Sequence, residues 1–249
     1  MYEDTGNTVG LRISEPFGRK LVDLAGLRRG NLVLDVGTGL GPVFFPALDK
    51  VGSEGVVVGV DTSNEMVKGT HTLIKKSAYP NATIVKSDAR ILGFRDHTFD
   101  VVLSGFSYIY SSLEEVMRVL KDGGQFGLST WTTLGDMDFM AMFVQKCVPI
   151  SSGDVYYRDT SEKLRTLLHN ERFKDIRVMS EIQEFVFKDE KQWWHEMLNS
   201  GWQPYLASIE SLGVDLEEFK QKIFKELQGY RRSDGIPFTM SALFAFATK

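Results

Sequence analysis

VLDVGTGLGP, Val33 to Pro42, is the stretch that decides the fold. An apolar, β-branched run leads straight into three glycines, Gly37, Gly39 and Gly41, spaced two apart. Glycine reaches positive φ without penalty and lets a ligand touch the backbone. At the end of the first strand of a doubly wound sheet, such a turn is where nucleotide-like ligands bind. Pro42 fits the first turn of a following helix, where its missing N–H costs nothing. The dinucleotide fingerprint G-x-G-x-x-G fails, because counting from Gly37 it needs a glycine where Pro42 stands. The pattern present is D-x-G-x-G-x-G, and no P-loop Lys-Ser/Thr follows. A carboxylate at Asp35 would repel a pyrophosphate and attract a cationic amino group.

Outward from this turn, strand-like and helix-like segments alternate. NLVLDVG (31–37), VVVGVD (56–61), ATIVKSD (82–88), FDVVLSG (99–105) and QFGLSTW (125–131) are short apolar runs rich in β-branched residues. Their near-continuous apolar character suits strands covered on both faces, as in a parallel sheet. Between them, Ser63 is a candidate N-cap for a helix carrying Met66, Val67, Leu73 and Ile74 on its apolar face. SSLEEVMRVL (111–120) repeats apolar residues at three- and four-residue spacing, and KDGG after it reads as a helix stop and turn. The alternation implies βαβ units and a doubly wound sheet. Further on, TSEKLRTLLHN (160–170) reads as a helix and FKDIRVMSEIQEFVF (173–187) as a long strand. Residues 189–232 read as a helical insertion between the last two strands, and FTMSALFAFATK at the end as the closing strand.

Bulk properties narrow the function classes. A chain of 249 residues fits one large α/β domain or, less well, two small ones; it is here taken as 1–249 with 189–232 as a helical cap within it. The balance of 29 basic and 33 acidic residues, net −4, lacks the footprint of a non-specific nucleic-acid binder. The single cysteine, Cys147, excludes an intramolecular disulfide and a cysteine metal cluster; it reads as a small buried hydrophobe. The four histidines show no metal-ligand spacing, so no metal is expected. MYEDTGNTVG is not a signal peptide and no run of about 18 apolar residues exists, so no membrane span and a cytoplasmic address are expected.

With these motifs in view, the chain resembles the class I S-adenosylmethionine-dependent methyltransferases, and within them the ubiquinone/menaquinone-biosynthesis (methyltransferase type 11) group. The resemblance runs from Leu21 to Lys249 and is strongest from Val33 to Trp131. It implies a doubly wound, seven-stranded, mostly parallel sheet of the Rossmann-like methyltransferase kind. It further implies S-adenosyl-L-methionine as cofactor and S-adenosyl-L-homocysteine as product. Gly37 and Gly39 would cradle the methionyl part, with Asp35 holding the amino-acid end and Thr38 standing where many members have cysteine or serine. Asp61, with Thr62 beside it, would accept from the ribose hydroxyls, and Met66 would pack against adenine. Asp88, with Ala89 alongside, resembles the acid that accepts from the adenine amino group. Ser104 and Gly105 would touch the cofactor through the backbone.

Methyl transfer from a sulfonium is an in-line displacement from an already activated donor, so alignment and exclusion of water matter more than a base. The sequence accordingly assigns no catalytic residue. After the fourth strand, SGFSYIYSS lacks the Asn/Asp-Pro-Pro-aromatic motif of amide and nucleic-acid-base methylases, and lacks the histidines of many quinone-type members. Phe106 and Tyr108 are the candidate substrate contacts. The aromatics of the insertion, Trp193, Trp194, Trp202, Tyr205, Phe219, Phe224 and Tyr230, read mostly as core or cap packing. They also suit a cap over a small apolar or aromatic substrate. Tyr2 and Arg12 in the N-terminal stretch are placed by position alone to close over the site. The expected partner is a small molecule, with no nucleic acid, in a monomer or homodimer. A non-catalytic S-adenosylmethionine-binding regulator or partner subunit, a protein methyltransferase, and a reductase on the same fold remain as alternatives.

Overall fold

The computed structural model describes residues 11–77, 79–132, 159–198, 210 and 213–249. Cys147, Tyr2, Trp202 and Tyr205 lie outside the described residues. Seven strands form one sheet: β1 (Leu32–Val36), β2 (Val56–Asp61), β3 (Ala82–Lys86), β4 (Phe99–Gly105), β5 (Leu120–Trp131), β6 (Lys174–Phe187) and β7 (Ile236–Thr248). Their order is β3-β2-β1-β4-β5-β7-β6. β1 pairs in parallel with β2 and with β4, β2 with β3, and β4 with β5. The chain winds outward from β1 to β3, then returns to β1's other side to start β4. The carboxyl ends of β1 and β4 therefore border a topological switch point, the usual place for a ligand in an open α/β sheet.

Among the described residues the α-helices are α1 (Leu11–Leu24), α2 (Phe44–Val51), α3 (Asn64–Ser77), α4 (Leu113–Val119), α5 (Ser161–Asn170), α6 (Glu190–Met197) and α7 (Leu216–Gln228). Among the described residues, none is long and apolar enough to cross a membrane. Local chemistry explains their starts. Ser63 Oγ accepts from Met66 N–H at 3.3 Å ahead of α3, and Thr160 caps α5 by accepting from Lys163 N–H at 3.2 Å. Asp189 caps α6, and Asp215 caps α7 through both Glu217 and Glu218 N–H. Pro42 differs from expectation: α2 begins at Phe44 with Val43 as its N-cap, so the proline stands just before the helix.

KDGG also differs. It ends α4, but it belongs to β5 rather than to a separate turn. Phe99 pairs with Leu120 while Val101 pairs with Gln125, so β5 takes five residue steps where β4 takes two. The surplus bulges out with Gly123 at φ 72°, a left-handed conformation that glycine adopts freely.

The fold divides into two compact units. The larger comprises 14–131, 160–180 and 243–249. Its core packs Leu34, Val36, Val102, Phe126 and Leu128 of the sheet against Leu113, Val116 and Val119 of α4 and Leu164 and Leu168 of α5. Each such fully buried side chain contributes about 1.5–3 kcal/mol relative to exposure. Arg118 braces the connection before β4, donating to Glu115, Asp96 and the carbonyls of Phe94 and Leu92. The smaller unit comprises 1–13, 132–159 and 181–242 and contains α6 and α7. There Trp193 is fully buried with its ring edge-on to Phe238, and Trp194 meets Phe224 edge-on. Arg12 donates to Glu196 at 3.1 Å and to the Val186 carbonyl at 2.6 Å.

Candidate cofactor site

The site lies within the larger unit and begins with the turn after β1. Gly37 and Gly39 adopt φ of 73° and 54°. Gly37 and Thr38 both donate their N–H to the Val60 carbonyl, at 2.8 and 3.1 Å, which anchors the turn on the end of β2. The Thr38 hydroxyl, buried, donates to the Asp35 carbonyl at 2.9 Å. Thr70 of α3 donates to the Gly39 carbonyl at 2.6 Å.

Asp61, the last residue of β2, holds the turn from the other side. One carboxylate oxygen accepts from Gly39 N–H at 2.8 Å and the other from Ser63 N–H at 2.9 Å. Hydrogen bonds to a charged group are worth about 1.5–3 kcal/mol each. An ionised carboxylate offers about four lone-pair sites, so two remain for hydroxyl donors.

Asp35 is the unusual group. It is 1% exposed, and neither carboxyl oxygen has a hydrogen-bond partner among the described residues. Burial pushes its pKa up to about 8; the Asp61 carboxylate adds to the rise, while the neighbouring Thr38 hydroxyl opposes it. A buried acid without a partner favours its neutral form.

β4 brings the next residues. Ser104, buried, donates its hydroxyl to the Val36 carbonyl at 3.0 Å and stitches β4 to the end of β1. Gly105 has Val43 against its open face, where a Cβ would collide. Ser107 lies directly over Gly37, and a Cβ on that glycine would overlap the serine side chain. Between them Phe106 takes φ 52°, left-handed and uncommon for a bulky residue, while its N–H donates to the Ser129 carbonyl at 2.9 Å. Its ring stacks on Trp131 at 3.9 Å between centroids and 24° between planes. Phe17 of α1 meets both rings edge-on, at 5.7 and 5.4 Å.

Asp35, Gly37, Thr38, Gly39, Asp61 and Ser104 are thus joined in one contact network at the carboxyl edge of the sheet. Other expected residues are less closely joined. β3 ends at Lys86, so Asp88 follows it by two residues. Its carboxylate is held by Arg90 at 2.6 Å, and that hydrogen bonding lowers its pKa to about 2. Ala89 and Met66 are half-buried and Thr62 is exposed. Tyr108 is 72% exposed, with its ring edge-on to Tyr110. Ser107, Trp131 and Phe17 carry no motif that marks them for the site; the left-handed turn at Phe106 sets its ring against Trp131 and Phe17, and no sequence signal marks a left-handed phenylalanine.

The donor set has a definite chemical preference. A buried acid lacking a donor and a second acid with spare lone pairs suit a ligand carrying an ammonium and neighbouring hydroxyls. They disfavour a pyrophosphate. The donor set therefore fits a nucleoside bearing an amino acid.

Comparison with known proteins agrees. The family described as the ubiE/COQ5 methyltransferase family matches residues 1–154. Aklanonic acid methyltransferase DauC of Streptomyces sp. (strain C5) is 31% identical over 131 residues, covering 51% of this chain and 60% of that protein. The ubiquinone/menaquinone biosynthesis C-methyltransferase UbiE of Idiomarina loihiensis is 33% identical over 130 residues, covering 50% of this chain and 52% of that protein. The chain thus spans about half to three-fifths of the length of these curated relatives. The solved YcgJ protein of Bacillus subtilis superposes with a TM-score of 0.62 at 18% identity, covering 94% of this chain and 98% of that one, a likeness of fold.

Proposed function

This chain belongs to the ubiE/COQ5 methyltransferase family of S-adenosylmethionine-dependent enzymes, and from that premise we propose that it methylates a small apolar or aromatic molecule. The observation that carries the reading is the cradle at the switch point: the D-x-G-x-G-x-G turn, clamped by Asp61, beside the unpaired Asp35. S-adenosylmethionine supplies an activated methyl on a sulfonium when bound. The chain's own residues have the remaining tasks. Asp35 accepts from the amino group, Asp61 from ribose hydroxyls, and the Gly37–Gly39 backbone accommodates the methionyl chain. Thr62, Met66, Asp88 and Ala89 are proposed for the adenosine side, and Ser104 and Gly105 for backbone contacts near the methyl.

For the acceptor, we assign Phe106, supported by its stacked partner Trp131, and Tyr108 at the mouth of the same segment. The relatives are named for aklanonic acid and for ubiquinone/menaquinone biosynthesis, small molecules in both cases, which supports a small-molecule acceptor here. No side chain here is assigned as a base, since alignment of the acceptor with an activated methyl supplies most of the rate. We carry residues 1–249 as a single domain, with 189–232 as a helical cap contributing to substrate choice, within the same proposal.

Calorimetric titration with S-adenosylhomocysteine, with NADH as control, tests the reading. Micromolar binding that is lost in Asp61→Ala supports it, and a panel of phenolic and quinol acceptors with labelled cofactor then identifies the substrate. Binding of NADH in place of S-adenosylhomocysteine would sink it. Turnover at the full rate after removal of 189–232 would remove the cap from the proposal.

A further inference from the structure

Asp35 is an acid with nothing to bind. Its carboxyl is buried, its two oxygens have no hydrogen-bond partner among the described residues, and the strands on either side bring Gly59 and Leu103 to its level, neither of them titratable. α2 contributes Phe44 next to Gly59, and the glycine turn contributes the Thr38 hydroxyl, which donates to the Asp35 backbone carbonyl and, lying beside the carboxyl, opposes part of its rise without forming a hydrogen bond to it. The charged group that does act on it is Asp61, another acid. A carboxyl so placed has every reason to keep its proton until a cation arrives.

We propose that Asp35 is a proton-release latch: the empty site holds it as a neutral carboxylic acid, and arrival of the cofactor's ammonium group expels its proton to solvent as the two form an ion pair. The inference rests on the cofactor reading above and adds a property that reading does not contain. The balance is simple. A neutral carboxyl and an ammonium become a carboxylate–ammonium pair plus one proton taken up by buffer, and no electron changes hands. Because the site is empty and uncharged at Asp35 in the absence of ligand, a buried negative charge is never left unpaired. The same device makes affinity depend on pH. With the free acid titrating near 8, binding tightens close to tenfold for each pH unit gained below that value, and above it the gain ends as the ligand's own ammonium loses its proton.

The readout is proton release, independent of turnover. S-adenosylhomocysteine, which carries the same amino-acid end, is titrated into the full-length protein at about pH 6.5 in buffers of different ionisation enthalpy. The slope of apparent binding enthalpy against buffer enthalpy counts protons released, and the expected value is close to one for the wild type. Asp35→Asn, which keeps the shape and cannot ionise, should bind more weakly, with a count near zero and an affinity flat from about pH 6 to 8. Asp61→Asn should bind more weakly yet keep the release, and a thermal melt of each variant establishes that it is folded. Binding with no proton release in the wild type would overturn the latch while leaving the cofactor reading intact. Release that disappears in Asp61→Asn and persists in Asp35→Asn would overturn it too. Absence of any binding by the wild type would refute the cofactor reading and the latch together.

Discussion

Phe106 offers a test of whether the turn after β4 holds its shape at a cost. Its φ of 52° is left-handed, which costs an L-residue with a Cβ roughly 1–2 kcal/mol. Glycine escapes that cost but loses about 0.5–1 kcal/mol more backbone entropy on folding than alanine does. Phe106→Ala and Phe106→Gly remove the same ring, with its stacking on Trp131 and its edge contact to Phe17, so those losses cancel between the two. What remains is conformation, and it should favour glycine over alanine by about 0.5–1 kcal/mol. At an exposed right-handed position the order reverses. Lys222 of α7 serves as the reference, where alanine should exceed glycine by about 1 kcal/mol. Urea unfolding followed by tryptophan fluorescence reads both pairs, and melting points should move by about 2–4 °C per kcal/mol for a chain of this size. If alanine exceeds glycine at 106 by the margin seen at 222, the left-handed turn is absent and the placement of the ring over Trp131 falls with it.

Gly37→Ala puts a methyl where Ser107 sits, on a backbone at φ 73°, so it should abolish S-adenosylhomocysteine binding in calorimetry; retained wild-type affinity would contradict the close approach. Arg118→Ala leaves two carbonyls without their donor and Glu115 with the Leu92 N–H alone, and should cost about 1–3 kcal/mol in a denaturant melt, against under 1 kcal/mol for an isolated surface pair. The pH dependence of stability has a definite sign at Asp35. In the unliganded fold its pKa is raised from 3.8 to about 8, so between those values the folded chain holds a proton that the unfolded chain has lost. Wild-type stability relative to Asp35→Asn is therefore greatest below about pH 4 and falls as pH rises toward 8, on the order of 1 kcal/mol per unit. Melts of both proteins across that range check it, and a constant difference would show the acid is already ionised.

The inner parallel strands β1 and β4 were legible because they are largely buried on both faces and so read as unbroken apolar runs, whereas β3 at the edge has three exposed residues and was marked by its β-branched content. β1, β2 and β4 match the segments expected of them almost residue for residue. The turn after β1 was legible for a similar reason, since glycine spacing and a strand-terminal acid are local features. α1 escaped notice because Pro16 interrupts its pattern, yet Ile13, Phe17, Leu21 and Val22 are all buried. The KDGG bulge escaped because Gly-Gly after a helix looks the same whether the chain turns or continues into a strand. The state of Asp35 was out of reach altogether. Charge at a carboxyl depends on what surrounds it, and the sequence names its neighbours along the chain but not those across the sheet.

The strand order also has a consequence for how the chain is made. β1 gains β2 as a neighbour soon after its synthesis, but its other edge waits for β4, which begins at Phe99, about forty residues beyond the end of β2. At about 5–20 residues per second a ribosome needs roughly 2–8 s to cross that gap. For that interval the strand destined for the middle of the sheet presents a bare, apolar, hydrogen-bonding edge of the kind that recruits other chains. The same crossover that opens a crevice for a ligand in the finished molecule thus makes the nascent one briefly dependent on chaperones or on isolation from its siblings. Slow codons between residues 61 and 99 should lower the soluble yield far more than the same codons placed after residue 131.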